Sequence, residues 1–376
     1  MGYPTRSLRR LSCHLIVGLS ATTAIAQTPS SGCGSKPLES GLYQMADGGQ
    51  MRLYRLHVPA SYDPAIPSPV VTIFHGWGGD ENAFLGDESV LAEAEAHGYI
   101  LVAPRGVGSE GGDNSYNSWT FRGSATGIGG DGQPICDPEN TGDYGYASCQ
   151  AAGADIARNS CSWTQCQTDD IGFVQELIAD VSSKICIDED RIFASGGSNG
   201  GMFTWELGQN PATAGTFRAI APLIGLPHRG HLDGPGQTGL PVMLVTGTND
   251  PTVPPGAWED SAFTTTSDGD FYYYTGATAI TRVWAETAGC SVAEPASTVD
   301  VGIEGIDCRS YCGVEGEGEM PSVMDCRADM AHEYDLPKTW PLILGFFDAQ
   351  TQYYRQINQN CLQPVASSTG LLTLVL

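Results

Sequence analysis

The sequence predicts an α/β fold with a mostly parallel central sheet flanked by helices. Short, continuous apolar runs rich in β-branched residues, such as "SPVVTIFHG", "GYILVAP" and "PVMLVTG", have the pattern of strands buried on both faces, as parallel strands are. Segments of helical periodicity alternate with such runs, which is how helices come to cover both faces of a parallel sheet. Glycines and prolines punctuate the junctions.

Taken in order, residues 1–26 carry Arg6, Arg9 and Arg10, then the apolar run Leu15 to Ile25, then small residues ending at Ala26. That is the layout of a secretory signal, so 1–26 is set aside from the fold. A Ser/Pro/Gly stretch, 27–37, reads as a short linker, and 38–376 reads as one α/β domain. "MRLYRLHVP" alternates with period two, an early strand. "SPVVTIFHG" and "GYILVAP" follow as buried strands, ending at Gly76 and Pro104. Residues from about 106 to 168 show no periodicity but contain Cys136, Cys149, Cys161 and Cys166. A loop of that length in a globular domain needs a function or a staple, and the cysteines predict a disulfide-stapled insertion. In "DDIGFVQELIADVSSKI", Ile171, Val174, Leu177, Ile178 and Val181 share one helix face, with Asp169 or Asp170 placed to cap it. "RIFAS" is a strand, "NGGMFTWELG" a helix, and "FRAIAPLIG" and "PVMLVTG" two more strands. "PSVMDCRADM" is strand-like.

The formal charge is −25; removing the signal takes away three arginines and no acid, leaving −28. Nucleic acid and anionic membrane both require Lys/Arg patches to replace counterions, so neither is expected as a partner. Of twelve cysteines, eleven remain after residue 26, implying up to five disulfides and one thiol in a secreted protein. No Cys/His spacing matches a zinc site, and neither metal nor cofactor is expected.

Within "FASGGSNGGMF", Gly196, Ser198 and Gly200 form G-x-S-x-G. Among 48 glycines such a match arises readily by accident, so its context decides. Here a strand ends at Ser195 and a helix begins straight after Ser198, the strand-turn-helix setting of a nucleophile elbow. A serine hydroxyl needs a base, and the base needs an orienting carboxylate. In the α/β-hydrolase fold the chain order is serine, acid, histidine, which selects His332 among seven histidines. Asp250 follows the strand "PVMLVTG" at its carboxyl end, where α/β sheets carry site residues; Glu259, Asp260, Asp268 and Asp270 are the alternatives. Acyl transfer also requires N–H donors for the oxyanion. The backbone of Asn199 and of Trp77 in "HGWGG" are the candidates, with Gly76 as the alternative to Trp77. His75 is expected to brace that loop on the substrate side.

These segments together, with "SWTF", "GTNDPTVPPG" and "WAETAGC", resemble the secreted feruloyl esterases and the related polyhydroxybutyrate depolymerases of the first carbohydrate esterase family. The resemblance runs from about Cys33 to Phe347. It implies an extracellular serine esterase with Ser198, Asp250 and His332 at the triad positions and Asn199 and Trp77 at the oxyanion positions. It also implies that Trp119 lies near the substrate groove, with a packing role as the equal alternative. Two departures stand out. "EYDLPKTWP" separates His332 from Trp340, where the family has its aromatic and "WP" directly after the histidine. Gly208 occupies a position where the family often has a cysteine paired to that at 186, which makes Cys186 the candidate unpaired thiol.

The expectation is therefore a secreted serine carboxylic ester hydrolase, first a feruloyl esterase acting on plant polysaccharide esters. An aliphatic polyester depolymerase or an acetylxylan esterase is the alternative. A peptidase of this fold would add a propeller or cap, and no repeat of that period is present. A non-catalytic carbohydrate-binding homologue would be expected to have lost a triad member.

Overall fold

Apolar runs with no polar alternation cannot face water on either side, and the structure stacks them into the middle of one sheet. This computed structural model describes residues 27–108, 116–141, 161–166, 168–259, 262–294, 296–313 and 320–362. Residues 1–26, read as a secretory signal, lie outside them, as does much of the insertion. The strands are β1 (Gly41–Asp47), β2 (Gln50–His57), β3 (Ser68–Phe74), β4 (Ile100–Pro104), β5 (Ile187–Gly197), β6 (Ala219–Leu223), β7 (Val242–Gly247), β8 (Phe263–Thr265), β9 (Tyr273–Thr275), β10 (Ser297–Val299), β11 (Ile306–Ser310) and β12 (Val323–Ala328). Ten of them form one sheet in the order β1-β2-β4-β3-β5-β6-β7-β12-β11-β10. From β4 to β12 every neighbouring pair is parallel. The additions at both edges, β1-β2 and β11-β10, are antiparallel, and β8 and β9 pair separately as a small hairpin.

The helices are α1 (Asn82–Leu85), α2 (Glu88–His97), α3 (Asp170–Lys184), α4 (Asn199–Gln209), α5 (Ala277–Thr287) and α6 (Leu336–Leu362). The pleat divides each central strand between two cores. Val70 and Phe74 of β3 join Phe173 and Leu177 of α3, Phe203 of α4 and Trp284 of α5 on one side. Val71 and Ile73 join Phe84 of α1, Val90 of α2 and Trp340, Phe346 and Phe347 of α6 on the other. The result is a helix-sheet-helix sandwich, as the alternation of patterns predicts.

Asp169 is the cap of α3, accepting from the Gly172 N–H at 2.9 Å. Asp170 is instead buried, bonded to Arg52 at 2.9 Å and to the Thr120 N–H at 2.8 Å. Residues 28–33 of the stretch read as a linker are tied to the sheet: Ser30 N–H donates to the Ile187 carbonyl at 3.0 Å and its hydroxyl to the Ile185 carbonyl at 2.8 Å.

That anchoring corrects one expectation. Cys186 is not a free thiol; it is bonded to Cys33. Its partner comes from the N-terminal stretch, which crosses the start of β5, and not from α4. A side chain at Gly208 would meet Ile220 and Trp284, with a Cβ 2.5 and 2.8 Å from their atoms. The remaining bridges are Cys136–Cys161 in the insertion, Cys290–Cys312, and Cys308–Cys326 across β11 and β12; Cys166 is disulfide-bonded as well. Among the described residues, no helix is long and apolar enough to cross a membrane.

Candidate active site

Strand β5 ends at Gly197 and α4 begins at Asn199, leaving one residue to make the turn. That residue is Ser198, at φ 54° and ψ −119°, a region that side-chain-bearing residues rarely occupy. The strain is held by close packing on every side of the turn. A Cβ on Gly200 would lie 2.1 Å from the Phe74 carbonyl oxygen, and one on Gly196 would lie 2.6 Å from the Gly200 oxygen. The glycines are thus required by backbone contact, which answers whether the motif is accidental in geometric terms.

From this turn the Ser198 hydroxyl reaches His332 Nε2 at 2.9 Å. His332 Nδ1 reaches Asp250 Oδ2 at 2.8 Å. Asp250 follows β7 and His332 follows β12, and these two strands are parallel neighbours, so both loops emerge at the same carboxyl edge as the elbow. The Asp250 carboxylate is fully buried, and its Oδ1 accepts the N–H groups of Thr252 at 2.9 Å and Val253 at 2.8 Å. With its other oxygen committed, Asp250 presents Oδ2 to the imidazole in one orientation. Of the alternative acids, Glu259 and Asp268 are exposed, Asp270 stands at the cavity described below, and Asp260 lies outside the described residues.

The loop after β3 crosses in front of Ser198. His75 is buried; its Nδ1–H donates to the Gly76 carbonyl at 2.7 Å and its Nε2 accepts the Gly106 N–H at 2.9 Å. Burial pushes its pKa down to about 4, so the ring is neutral and serves as a strut. The Gly76 N–H is committed to Tyr334 Oη at 3.1 Å. Burial raises the Tyr334 hydroxyl to about 12, so it stays neutral. Asn199 opens α4, where the first backbone N–H groups have no intrahelical acceptor. Its side chain faces away from Ser198, accepting from the Trp119 N–H at 2.7 Å and donating to the Trp119 carbonyl at 3.1 Å.

Trp119 itself requires a correction. It is fully buried, stacked on Phe203 and edge-on to Phe74, with its indole N–H on the His75 carbonyl at 3.0 Å. Neither Trp119 nor His75 lines the cavity beside Ser198. Both support from behind the loop that does, because the Trp119 ring fills the core between β3 and α4 instead of turning to solvent.

That cavity, of about 450 Å³, is lined by Ser198, His332, Gly76 and Trp77, by the apolar Met202, Ile224 and Val253, and by Trp163, Tyr272, Tyr274 and Tyr334. Asp270 and Glu333 are its carboxylates, and no Lys or Arg is among the lining residues. Trp163, Tyr272, Tyr274 and Tyr334 escaped the sequence reading. Only Tyr334 had a local signal, standing two residues after His332 in the segment that departs from the family pattern.

No family model matches the sequence. Among curated proteins, the chain is 25 % identical over 252 residues to a protein described as "Probable feruloyl esterase C" from Aspergillus niger, covering 65 % of this chain and 71 % of that one. It is 25 % identical over 253 residues to "Feruloyl esterase C" from Emericella nidulans, covering 66 % and 72 %. Among solved structures, an acetyl xylan esterase from Aspergillus awamori superposes with a TM-score of 0.46 at 14 % identity, over 82 % of this chain and 99 % of that one. A thermostable esterase gives a TM-score of 0.35 at 18 % identity, and this chain spans about half (48 %) of its length.

Proposed function

We propose that this protein is a secreted serine carboxylic ester hydrolase acting on hydroxycinnamoyl (feruloyl) esters of plant polysaccharide. The observation that carries the reading is the hydrogen-bonded series Ser198–His332–Asp250 at a strained strand-helix turn, opening into an aromatic-walled cavity. The similarity to fungal feruloyl esterases supports the substrate class. The signal-like leader and the disulfides support secretion.

In this reading Ser198 Oγ attacks the ester carbonyl carbon as its proton passes to His332 Nε2. Asp250 Oδ2, bonded to Nδ1–H, fixes the tautomer that leaves Nε2 free to accept that proton, and it stabilises the imidazolium formed. The negative charge that develops on the carbonyl oxygen meets the backbone N–H groups of Asn199 and Trp77. Collapse breaks the bond to the alcohol oxygen, which takes the proton from Nε2 and departs. Water then repeats the sequence on the acyl-serine, releasing the acid and restoring Ser198.

The test is hydrolysis by the mature protein of methyl ferulate, poly-3-hydroxybutyrate and acetylated xylan, with Ser198→Ala as the blank. Ferulate release that disappears in the variant is the expected result. Release of hydroxybutyrate or acetate alone would transfer the same chemistry to the aliphatic esters, and turnover surviving in Ser198→Ala would refute the nucleophile.

A further inference from the structure

The aromatic wall of the cavity is assembled from parts far apart in sequence. Trp163 comes from the insertion, which the Cys136–Cys161 bridge holds, and its backbone N–H is on the Ser124 carbonyl at 2.9 Å. Tyr272 and Tyr274 come from the β8–β9 hairpin region. Between them, outside the cavity lining, stands His228, with no exposed surface.

His228 touches each part of the wall. Its Nε2 accepts the Trp163 indole N–H at 3.0 Å, with the two rings edge-on, their centroids 5.7 Å apart. One face stacks on Tyr274 at 4.9 Å and 15°, and Phe121 lies nearly parallel to it at 5.5 Å. Nδ1–H is directed at the Tyr273 carbonyl, 3.4 Å away, and His228 forms a β-bridge with Tyr274. Burial pushes the imidazole pKa down to about 3, so Nε2 keeps the lone pair that the indole requires. An indole N–H is a donor that needs a partner when buried. Only a flat ring with an acceptor at its edge meets both demands at once: phenylalanine would stack but orphan the indole, and glutamine would accept but leave Tyr274 without its platform.

We propose that His228 is the positioning residue of the cavity: it fixes Trp163 and Tyr274 as a rigid wall against which a flat, uncharged aromatic group of the substrate packs. The proposal rests on the ester-hydrolase reading for calling that group part of an ester. The chemistry of the lining bears on the ligand class independently. Five aromatic side chains, Trp77, Trp163, Tyr272, Tyr274 and Tyr334, offer planar surfaces, while Asp270 and Glu333, with no Lys or Arg among the lining residues, disfavour a group that carries its own carboxylate. Holding the rings in advance lowers the ordering cost of binding.

The test separates binding from turnover. Methyl cinnamate is titrated calorimetrically into Ser198→Ala, and into the same protein carrying His228→Phe, His228→Gln, Trp163→Phe, or His228→Phe with Trp163→Phe. The expected result is a Kd raised about tenfold by His228→Phe and by Trp163→Phe, with the pair together little worse than either alone, because both break one bond. Glutamine should recover part of the loss. With Ser198 intact, the same substitutions should raise the ratio of KM for methyl cinnamate to KM for an acetyl ester by a similar factor, which a general loss of structure would not do. If His228→Phe does not fold, Trp163→Phe carries the test from the other end of the bond. No binding of methyl cinnamate, an unchanged Kd, or full additivity of the pair would overturn the proposal. Absence of ester turnover by the unsubstituted protein, with binding intact, would refute the hydrolase reading and leave this one standing.

Discussion

His332 Nδ1 lies 2.8 Å from Asp250 Oδ2, across 82 residues of sequence, and the carboxylate it meets is fully buried and held by two backbone N–H groups. In the proposed mechanism this contact sets which imidazole nitrogen carries the proton. Asp250→Asn preserves the shape but lets the amide impose the other tautomer, so kcat is expected to fall on the order of 10⁴-fold with little change in KM. Steady-state kinetics on methyl ferulate would check it; a loss under tenfold would remove Asp250 from the role.

Tyr334 accepts the Gly76 N–H at 3.1 Å and packs so closely that a Cβ on Gly197 would lie 2.2 Å from its ring. Tyr334→Phe keeps the ring and orphans the N–H, at a cost of about 1–3 kcal/mol. Because the donor loop beside Ser198 is then free to shift, kcat is expected to fall roughly tenfold. A melting curve and kcat on the same preparation distinguish the two effects; unchanged values in both would show that the bond positions nothing.

The Cys33–Cys186 bridge closes a loop of 153 residues in sequence separation. Cys186→Ser should lower stability by about 2–5 kcal/mol. Mass spectrometry after alkylation of the native, unreduced protein should find Cys186 unmodified; an alkylated Cys186 would contradict the pairing.

Burial lowers His75 to about 4 and His228 to about 3, against about 6.5 in an unfolded chain. Below pH 6.5 the unfolded chain takes up protons that the folded one refuses, so stability is complete above that pH and falls on acidification. Each histidine contributes a slope of up to about 1.4 kcal/mol per pH unit, ending near pH 4 for His75 and pH 3 for His228. Asp170 and Asp325 act oppositely: burial raises both, so the folded state protonates before the unfolded one and gains stability there. Tm measured from pH 8.5 to 4.5 should be level at first and then decline below about 6.5; a flat profile would contradict burial of neutral imidazoles.

The central strands were legible because burial on both faces leaves continuous apolar runs, and the elbow because backbone contact permits nothing but glycine at 196 and 200. The chain-order rule picked out Ser198, Asp250 and His332, residues that the fold brings within hydrogen-bond distance. What was not legible depends on distant partners. β1 alternates half-exposed positions, and β10 is only three residues long, so neither leaves a run. Trp163, Tyr272 and Tyr274 sit in segments without periodicity, and a disulfide and the hairpin carry them to the cavity. Trp119 was misplaced because sequence neighbourhood says nothing about which way a ring turns. Cys186 was misjudged because disulfide connectivity is set by the fold and not by spacing.

The most direct measurement is intact and peptide mass spectrometry after exposure to an activated alkyl phosphonate, which forms a stable bond to an activated serine oxygen. One adduct is expected, on the peptide containing Ser198, formed with loss of esterase activity, absent in Ser198→Ala and strongly slowed in His332→Ala. An adduct on another residue, or full ester turnover with Ser198 unmodified, would contradict Ser198 as the nucleophile.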